Sequence, residues 1–144
     1  MDVDFTRVRS AELIALVGGL LLGVAMFLPW FAFPSGNLDA WSSFTVIEVP
    51  LALTAAAGIA LFWVTLTRAS PAIPVATGVW SSLIGLIGTL CVVLRLLRLP
   101  SGSFDSCFGA WLGLGGAVLV LVGAWAAIND ERPFRGSPTR VPGR

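Results

Sequence analysis

The sequence predicts an all-α membrane protein, folded as a compact four-helix transmembrane bundle. Of its 144 residues, 56% are hydrophobic and 12% are charged, whereas roughly 25% of the residues of a soluble domain are charged. The apolar residues form four long blocks and do not alternate with polar ones, which is typical of membrane helices. The arginines, in addition, are concentrated on one side of the topology that these four blocks define.

The four apolar segments are residues 12–33, 49–67, 73–95 and 110–128. Each has about the ~20 residues that a helix needs to cross a ~30 Å hydrocarbon core. The first segment is longer than the apolar core of a signal peptide, and no small-residue cleavage site follows it, so we interpret it as a retained helix. The segments define a transmembrane domain, residues 12–128, between an N-terminal segment, 1–11, and a flexible basic tail, 129–144.

The distribution of arginine predicts the orientation in the membrane. If the N-terminus is cytoplasmic, the outer segments contain Arg95 and Arg98, and the other seven of the nine basic residues lie inside. This asymmetry agrees with the positive-inside rule, so we expect both termini in the cytoplasm.

Tryptophan gives an independent indication of the same topology, because indole side chains are enriched at both membrane interfaces. Under this topology Trp30, Trp41 and Trp111 lie near the outer interface, and Trp63 and Trp125 lie near the inner one.

Small residues recur at helical spacing along the predicted helices. These are Gly19 and Gly23 in the first segment, Gly78 and Gly85 in the third, and Gly109, Gly113, Gly116 and Gly123 at the start of and within the fourth. Because lipid is as apolar as leucine, membrane helices associate through close packing at such residues. We expect these glycines to pack helices within one chain, although a dimer interface or a pore lining would use the same pattern.

Two charges lie at the outer ends of predicted helices. Glu48 precedes the second helix and Arg95 ends the third, so we hypothesise that they form an ion pair. In the alternative interpretation, both side chains extend to the lipid headgroups. In the neighbouring loop, Trp41 and Phe44 are either an outer contact surface or interfacial anchors.

The chain offers little chemistry for an enzyme. It contains no His, and its two cysteines, Cys91 and Cys107, do not form a Cys-x-x-Cys motif. We therefore predict no metal, no cofactor and no catalytic residues. The two cysteines lie on the same side of the membrane, where they are either free thiols or a disulfide. A net charge of +1 gives no reason to expect nucleic-acid binding.

Several short motifs indicate a family. The chain has LPWF at residues 28–31, DAWSSFTVIE at 39–48, RASPAIPV at 68–75 and WAAINDE at 125–131. In these motifs it resembles small four-helix membrane proteins of actinobacterial type, which are functionally uncharacterised. The resemblance implies a multi-pass protein of a bacterial inner (plasma) membrane, and it implies no activity.

The function that the sequence favours is association in the lipid bilayer. We expect a non-enzymatic accessory subunit or scaffold of the cell envelope, bound to a membrane-protein partner or to further copies of itself. The alternative is an oligomeric small transporter or channel. A membrane-embedded lipid or thiol enzyme ranks last, because no nucleophile has a neighbouring base.

Overall fold

The computed structural model describes residues 10–43, 46, 48–67, 72–98 and 105–130. Four of its helices form the body of the protein: α1 (Ser10–Ala25), α3 (Glu48–Thr67), α4 (Ala72–Leu97) and α5 (Phe108–Asp130). The helix α2 (Ala40–Ser43) is a single turn. Three short strands are β1 (Pro29–Phe33), β2 (Gly36–Asp39) and β3 (Asp105–Ser106).

The long helices form a bundle in which each is antiparallel to the next. The helix α1 packs against α3 and α5, and α4 packs against the same two helices from the other side. The predicted helical bundle is thus confirmed. Three of the helices, α3, α4 and α5, are long and apolar enough to cross a membrane, whereas α1 is apolar but shorter.

The outward-facing residues show how the helices pack. On α1 they are Leu13, Val17, Leu20 and Val24, separated by four, three and four residues. The outward face of α4 is broader, because Val79 and Leu86 are exposed beside Trp80 and Ile87. A period of 3.5 residues is typical of helices that cross at about +20° in a left-handed bundle.

The first helix ends at Ala25, so the prediction of a helix over residues 12–33 is wrong at its C-terminal end. Proline explains the difference. Pro29 has no N–H to donate to the carbonyl of Ala25, four residues earlier, and in a helix its ring would clash with that carbonyl. The chain turns and continues as β1. The 16 residues of α1 rise about 24 Å, less than a ~30 Å hydrocarbon core.

A small antiparallel sheet, which the sequence did not predict, lies at one end of this mostly helical bundle. The strand order is β2-β1-β3. The turn between β1 and β2 contains Pro34, and it ends at Gly36, whose φ of 124° is rare for residues that have a Cβ. Strands of two to five residues are too short to give the alternating pattern by which sheets are predicted.

Two glycines of the predicted α5 seam, Gly116 and Gly123, pack against α1, whereas Gly109 and Gly113 face Pro29 and Trp30 of β1. A Cβ on Gly116 would lie 2.6 Å from the backbone nitrogen of Leu22, and one on Gly123 would lie 2.5 Å from that of Ala15. These contacts involve backbone atoms, which cannot move aside as a flexible side chain can. The two helices therefore approach as closely as small residues in membrane bundles allow.

The other predicted glycines have different surroundings. Gly19 faces the carbonyl oxygen of Ala55 on α3, and Gly78 and Gly85 of α4 face α5. Gly23 is an exception, because a Cβ there would meet nothing within 4 Å, so it does not belong to a packing seam.

Three close contacts were not among the predicted positions. Gly18 faces α5, Gly58 faces α1, and Gly88 of α4 faces Thr54 of α3.

The predicted N-terminal segment, 1–11, lies outside the described residues except for Ser10 and Ala11. Of the predicted tail, 129–144, the structure describes Asn129 and Asp130, which belong to α5. The helices α3, α4 and α5 otherwise match the predicted segments to within two residues at each end.

Replacement of a seam glycine should destabilise the bundle. We expect Gly123→Ala to lower the free energy of unfolding by about 1–3 kcal/mol, because the added methyl group overpacks the contact with the α1 backbone. The measurement is loss of helical circular dichroism during denaturation in detergent micelles. The matched control is Gly115→Ala on the same helix, where a Cβ meets nothing within 4 Å.

The control variant should be neutral, or stabilising by up to ~1 kcal/mol, because alanine favours helix more than glycine does. Equal effects of the two substitutions would contradict the packing described for α5.

Candidate functional site

The sheet closes one end of the bundle, and we call residues 29–39 and 105–107 the cap. It lies where α1 and α4 end and where α3 and α5 begin. A backbone hydrogen bond joins its two parts, from Cys107 N to Trp30 O (2.7 Å), and another joins the residues that flank it, from Ala40 N to Met26 O (3.2 Å). The cap is therefore continuous with the helices beneath it.

A β-bulge points two consecutive aromatic side chains into the protein. Neighbouring residues of a regular strand face opposite sides of the sheet, yet Trp30 is 1% exposed and Phe31 is fully buried. The register between β1 and β2 shifts between Pro29 and Phe31, which places the irregularity at Trp30. In many proteins a β-bulge changes the direction of one side chain in this way.

The indole of Trp30 forms a hydrogen bond with the last residue of α1. Its Nε1–H donates to the carbonyl oxygen of Ala25 at 2.6 Å, in a buried position. Leu28 N donates to the same oxygen at 3.0 Å. The indole ring also fills the space that a side chain on Gly113 would occupy. The side chain of Trp30 belongs to the core, and its position near the outer membrane interface stays a prediction.

The sequence contains a signal for this arrangement. A proline four residues after Ala25 deprives the Ala25 carbonyl of its helical donor. In apolar surroundings another donor must replace it, and Trp30 is the first side chain after Pro29 with an N–H to give.

Arg95 lies under the cap, near the end of α4. Its guanidinium carbon is 5.6 Å from the centroid of the Phe31 ring, within cation–π distance. Glu48 is the first residue of α3 and is partly buried at the same end of the bundle. The ion pair between Glu48 and Arg95 stays a prediction.

An aromatic pair lies on the outside of this end. Trp41 is 44% exposed and its ring is 6.1 Å from that of Phe27, which is 71% exposed. Phe44, the second residue of the predicted contact surface, lies outside the described residues. Trp41 is thus accessible to lipid or to a partner.

Inside the bundle, buried hydroxyl groups are bound to backbone carbonyls. Thr54 Oγ1 lies 2.7 Å from the carbonyl oxygen of Pro50 and 3.2 Å from that of Ile84. Ser81 Oγ donates to Ala57 O at 3.2 Å, and Thr65 Oγ1 donates to Leu61 O at 3.0 Å. Two of these contacts, at Thr54 and Ser81, join α3 to α4. The hydroxyls therefore stabilise helix packing.

A buried carboxyl group lies at the other end of the bundle. Glu12 is 3% exposed, in the first turn of α1. A negative charge in the first turn of a helix is stabilised by the helix dipole.

The thiols of Cys91 and Cys107 are both free and partly buried, so the alternative in which they form a disulfide does not occur in this structure. Within the described residues, no group of three or more His, Cys, Asp or Glu side chains could hold a metal ion.

No protein-family model, curated protein or solved structure matches this chain. The resemblance to small four-helix membrane proteins of actinobacterial type stays a prediction, and the geometry of this chain has to carry the functional argument.

Loss of the Trp30 hydrogen bond should destabilise the protein. We expect Trp30→Phe to lower the free energy of unfolding by about 2–4 kcal/mol, because the Ala25 carbonyl loses a buried donor and the smaller ring leaves a cavity beside Gly113. The control is Trp111→Phe, at a 58% exposed position. Its unfolding in the same micelles should be unchanged; a larger loss at Trp111 than at Trp30 would refute the role of the indole.

A double-mutant cycle should detect the contact between Arg95 and Phe31. We expect a coupling free energy of ~0.5–1 kcal/mol between Arg95→Met and Phe31→Leu, in the range of a partly exposed cation–π contact. The readout is the free energy of unfolding in micelles.

A second cycle, with Arg95→Met and Glu48→Gln, measures the predicted ion pair by the same readout. That coupling should weaken as salt is added, because exposed charges are screened. Zero coupling in the first cycle contradicts the cation–π contact, and zero coupling in the second rejects the ion pair.

Proposed function

We propose that this protein is a non-enzymatic, multi-pass protein of a bacterial plasma membrane that acts by association, as an accessory subunit or scaffold. The closed interior of the bundle carries the proposal. The core beneath the cap is filled by side chains such as Leu22, Trp30, Phe31 and Val92. A function that resides in this protein therefore has its place on the surface of the bundle.

The outer surface suits a bilayer. Large apolar side chains are exposed along all four long helices, among them Val17, Leu53, Leu86 and Val122. Soluble monomers rarely expose contiguous apolar patches larger than a few hundred Å². In a bilayer, lipid chains keep these apolar side chains out of contact with water, and this supports a membrane location.

We place the cap on the outer side of the membrane and both termini in the cytoplasm. This orientation follows from the arginines, of which Arg95 and Arg98 lie at the capped end. In it, α1 and the buried residues of β1 together make the first of four crossings. Non-helical backbone is tolerated at membrane depth where protein buries it, as the bundle buries Trp30 and Phe31.

The interior weighs against transport through one bundle. A path for ions or polar solutes needs exposed polar groups along its length. The buried hydroxyls of Thr54, Thr65 and Ser81 instead bond to backbone carbonyls. A groove between α1 and α5 has an entirely apolar lining of Leu13, Ile14, Val17 and Leu119. Neither feature supplies a polar route, and association therefore ranks ahead of transport.

Recovery of the protein from its native membrane tests the proposal. We expect crosslinking before extraction in a gentle detergent, followed by mass spectrometry, to show a partner or a second copy at fixed stoichiometry. Trp41→Ala should reduce that crosslinked species, because Trp41 is exposed beside the cap. Trp63→Ala, at a 55% exposed position near the other end of α3, is the matched control.

A protein that stays monomeric, and whose purified form gives solute flux in liposomes, would refute association and favour the channel. Flux is measured with the full chain at several protein-to-lipid ratios.

A further inference from the structure

Exposed tryptophans mark two levels along the bundle. On α5, Trp111 lies near the capped end and Trp125 lies near the opposite end, and both side chains are exposed. We call the level of Trp111 the capped level and that of Trp125 the far level. The two residues are 14 positions apart, which is a rise of about 21 Å along the helix. Because indole side chains are enriched at membrane interfaces, this distance measures the hydrocarbon thickness that α5 fits.

The helix α4 has an exposed tryptophan at the far level as well. A Cβ on Gly78 of α4 would lie within 4 Å of both Ile128 and Ala124 of α5. Trp80 is two residues after Gly78, so in this antiparallel register it lies level with Trp125. Its side chain is also exposed. Two helices thus place an indole at the same distance from the capped end.

Aromatic side chains of other elements lie at the capped level. Gly116 of α5 packs against Leu22 of α1. Trp111 is five residues before Gly116, and Phe27 is five residues after Leu22, so the two aromatic residues lie at similar heights. Phe27 is exposed, and its ring is 6.1 Å from that of Trp41. The capped level is therefore defined by α5, by the residues that follow α1, and by α2.

The exposed aliphatic side chains of the helices form a band between these levels. On α1 the large ones run from Leu13 to Val24, on α3 from Val49 to Ile59, and on α5 from Val118 to Val122. On α4 they begin at Val79, beside the far level. The height of the band agrees with the distance between the tryptophans.

A few exposed residues lie beyond the band. Trp63 of α3 and Phe108 of α5 are each about one turn outside the two levels. Aromatic rings suit the headgroup region, so these two residues do not add to the hydrocarbon height. Among the described helices, Leu97 is the exposed large aliphatic residue that lies a full turn beyond the capped level.

Charged residues lie close to both levels. Glu12, in the first turn of α1, is near the far level. Arg95 is 15 residues after Trp80 on α4, a rise of about 22 Å, and Glu48 begins α3 at the same end. Because charged groups are costly within hydrocarbon, their positions favour the same thickness as the tryptophans do.

This height is less than that of an ordinary bilayer, whose hydrocarbon core is ~30 Å thick. The 16 residues of α1 rise about 24 Å and are also too short. Tilting cannot compensate, because a tilted helix spans less of the membrane normal. The lipid next to a short protein must therefore become thinner.

We propose that this protein fits a hydrocarbon core of about 21–24 Å and collects short-chain lipids around its helices. The inference rests on the membrane location in the proposed function, and it names short-chain lipid as the partner of the outer surface. In an ordinary bilayer, long chains beside the protein must compress to match it. Short chains match it without compression, so they replace the long ones.

Competition between two lipids tests the proposal. The full chain is placed in vesicles that contain equal amounts of a short-chain and a long-chain phosphatidylcholine, whose own hydrocarbon cores are about 23 Å and 35 Å thick. One lipid carries bromine, which quenches the fluorescence of the tryptophans it contacts, and the label is then exchanged. We expect at least ~2-fold enrichment of the short-chain lipid beside the protein. Equal contact with both lipids, or enrichment of the long-chain lipid, overturns the inference.

A variant of α5 tests the two levels themselves. Trp111→Leu combined with Trp125→Leu removes both interfacial side chains of this helix and extends its aliphatic band, so the enrichment should fall. The remaining tryptophans report the quenching. The matched control combines Val118→Leu with Val122→Leu, which lie between the levels on the same helix, and it should keep the enrichment. Equal loss in the two variants contradicts the assignment of the levels and overturns the inference.

Flotation of the same vesicles on a density gradient separates the two proposals. Protein that floats with them but shows no preference for chain length rejects the thickness and leaves the membrane location in place. Protein that floats with neither lipid rejects the membrane location, and the thickness with it.

Discussion

The carbonyl oxygen of Ala25 needs hydrogen-bond donors, and the capped end of the protein depends on how it obtains them. Pro29 prevents the helical bond, and apolar surroundings offer no water in its place. Trp30 Nε1 and Leu28 N donate instead. The indole can reach that position because Gly113 has no side chain in its way. The β-bulge at Trp30 then directs Phe31 into the core as well, where Arg95 covers its ring.

This arrangement allows a short helix to pack in a bundle of longer ones. The helix α1 is too short to reach the level at which α5 begins, and the aromatic residues of β1 fill the remaining depth. Lower down, the close approach of α1 to α5 depends on Gly116 and Gly123. The helices are in close contact at the seam, and side chains fill the core beneath the cap. Interaction with other molecules therefore takes place on the outward faces of the bundle.

The sequence predicted the helices well and the cap poorly. Long apolar runs determine α3, α4 and α5, because helix is the structure that satisfies the backbone of an apolar spanning segment. Hydrophobicity could not locate the end of α1, since a buried strand such as 29–33 is as apolar as a helix. Spacing placed Gly123 correctly but misplaced Gly23, because a three- or four-residue interval does not say which face a neighbour covers. Arg95 and Phe31 are far apart in the sequence, so no local sequence pattern could predict their contact.

The most direct test of the closed, capped bundle is hydrogen exchange at the indole N–H groups, measured by NMR in lipid nanodiscs. Each tryptophan gives its own signal, assigned by single replacement. The indole of Trp30 should exchange far more slowly than that of Trp41, because it is buried and bonded to Ala25 O. Exchange of Trp30 as fast as that of Trp41 would mean that water reaches the end of α1, and the closed bundle would be contradicted.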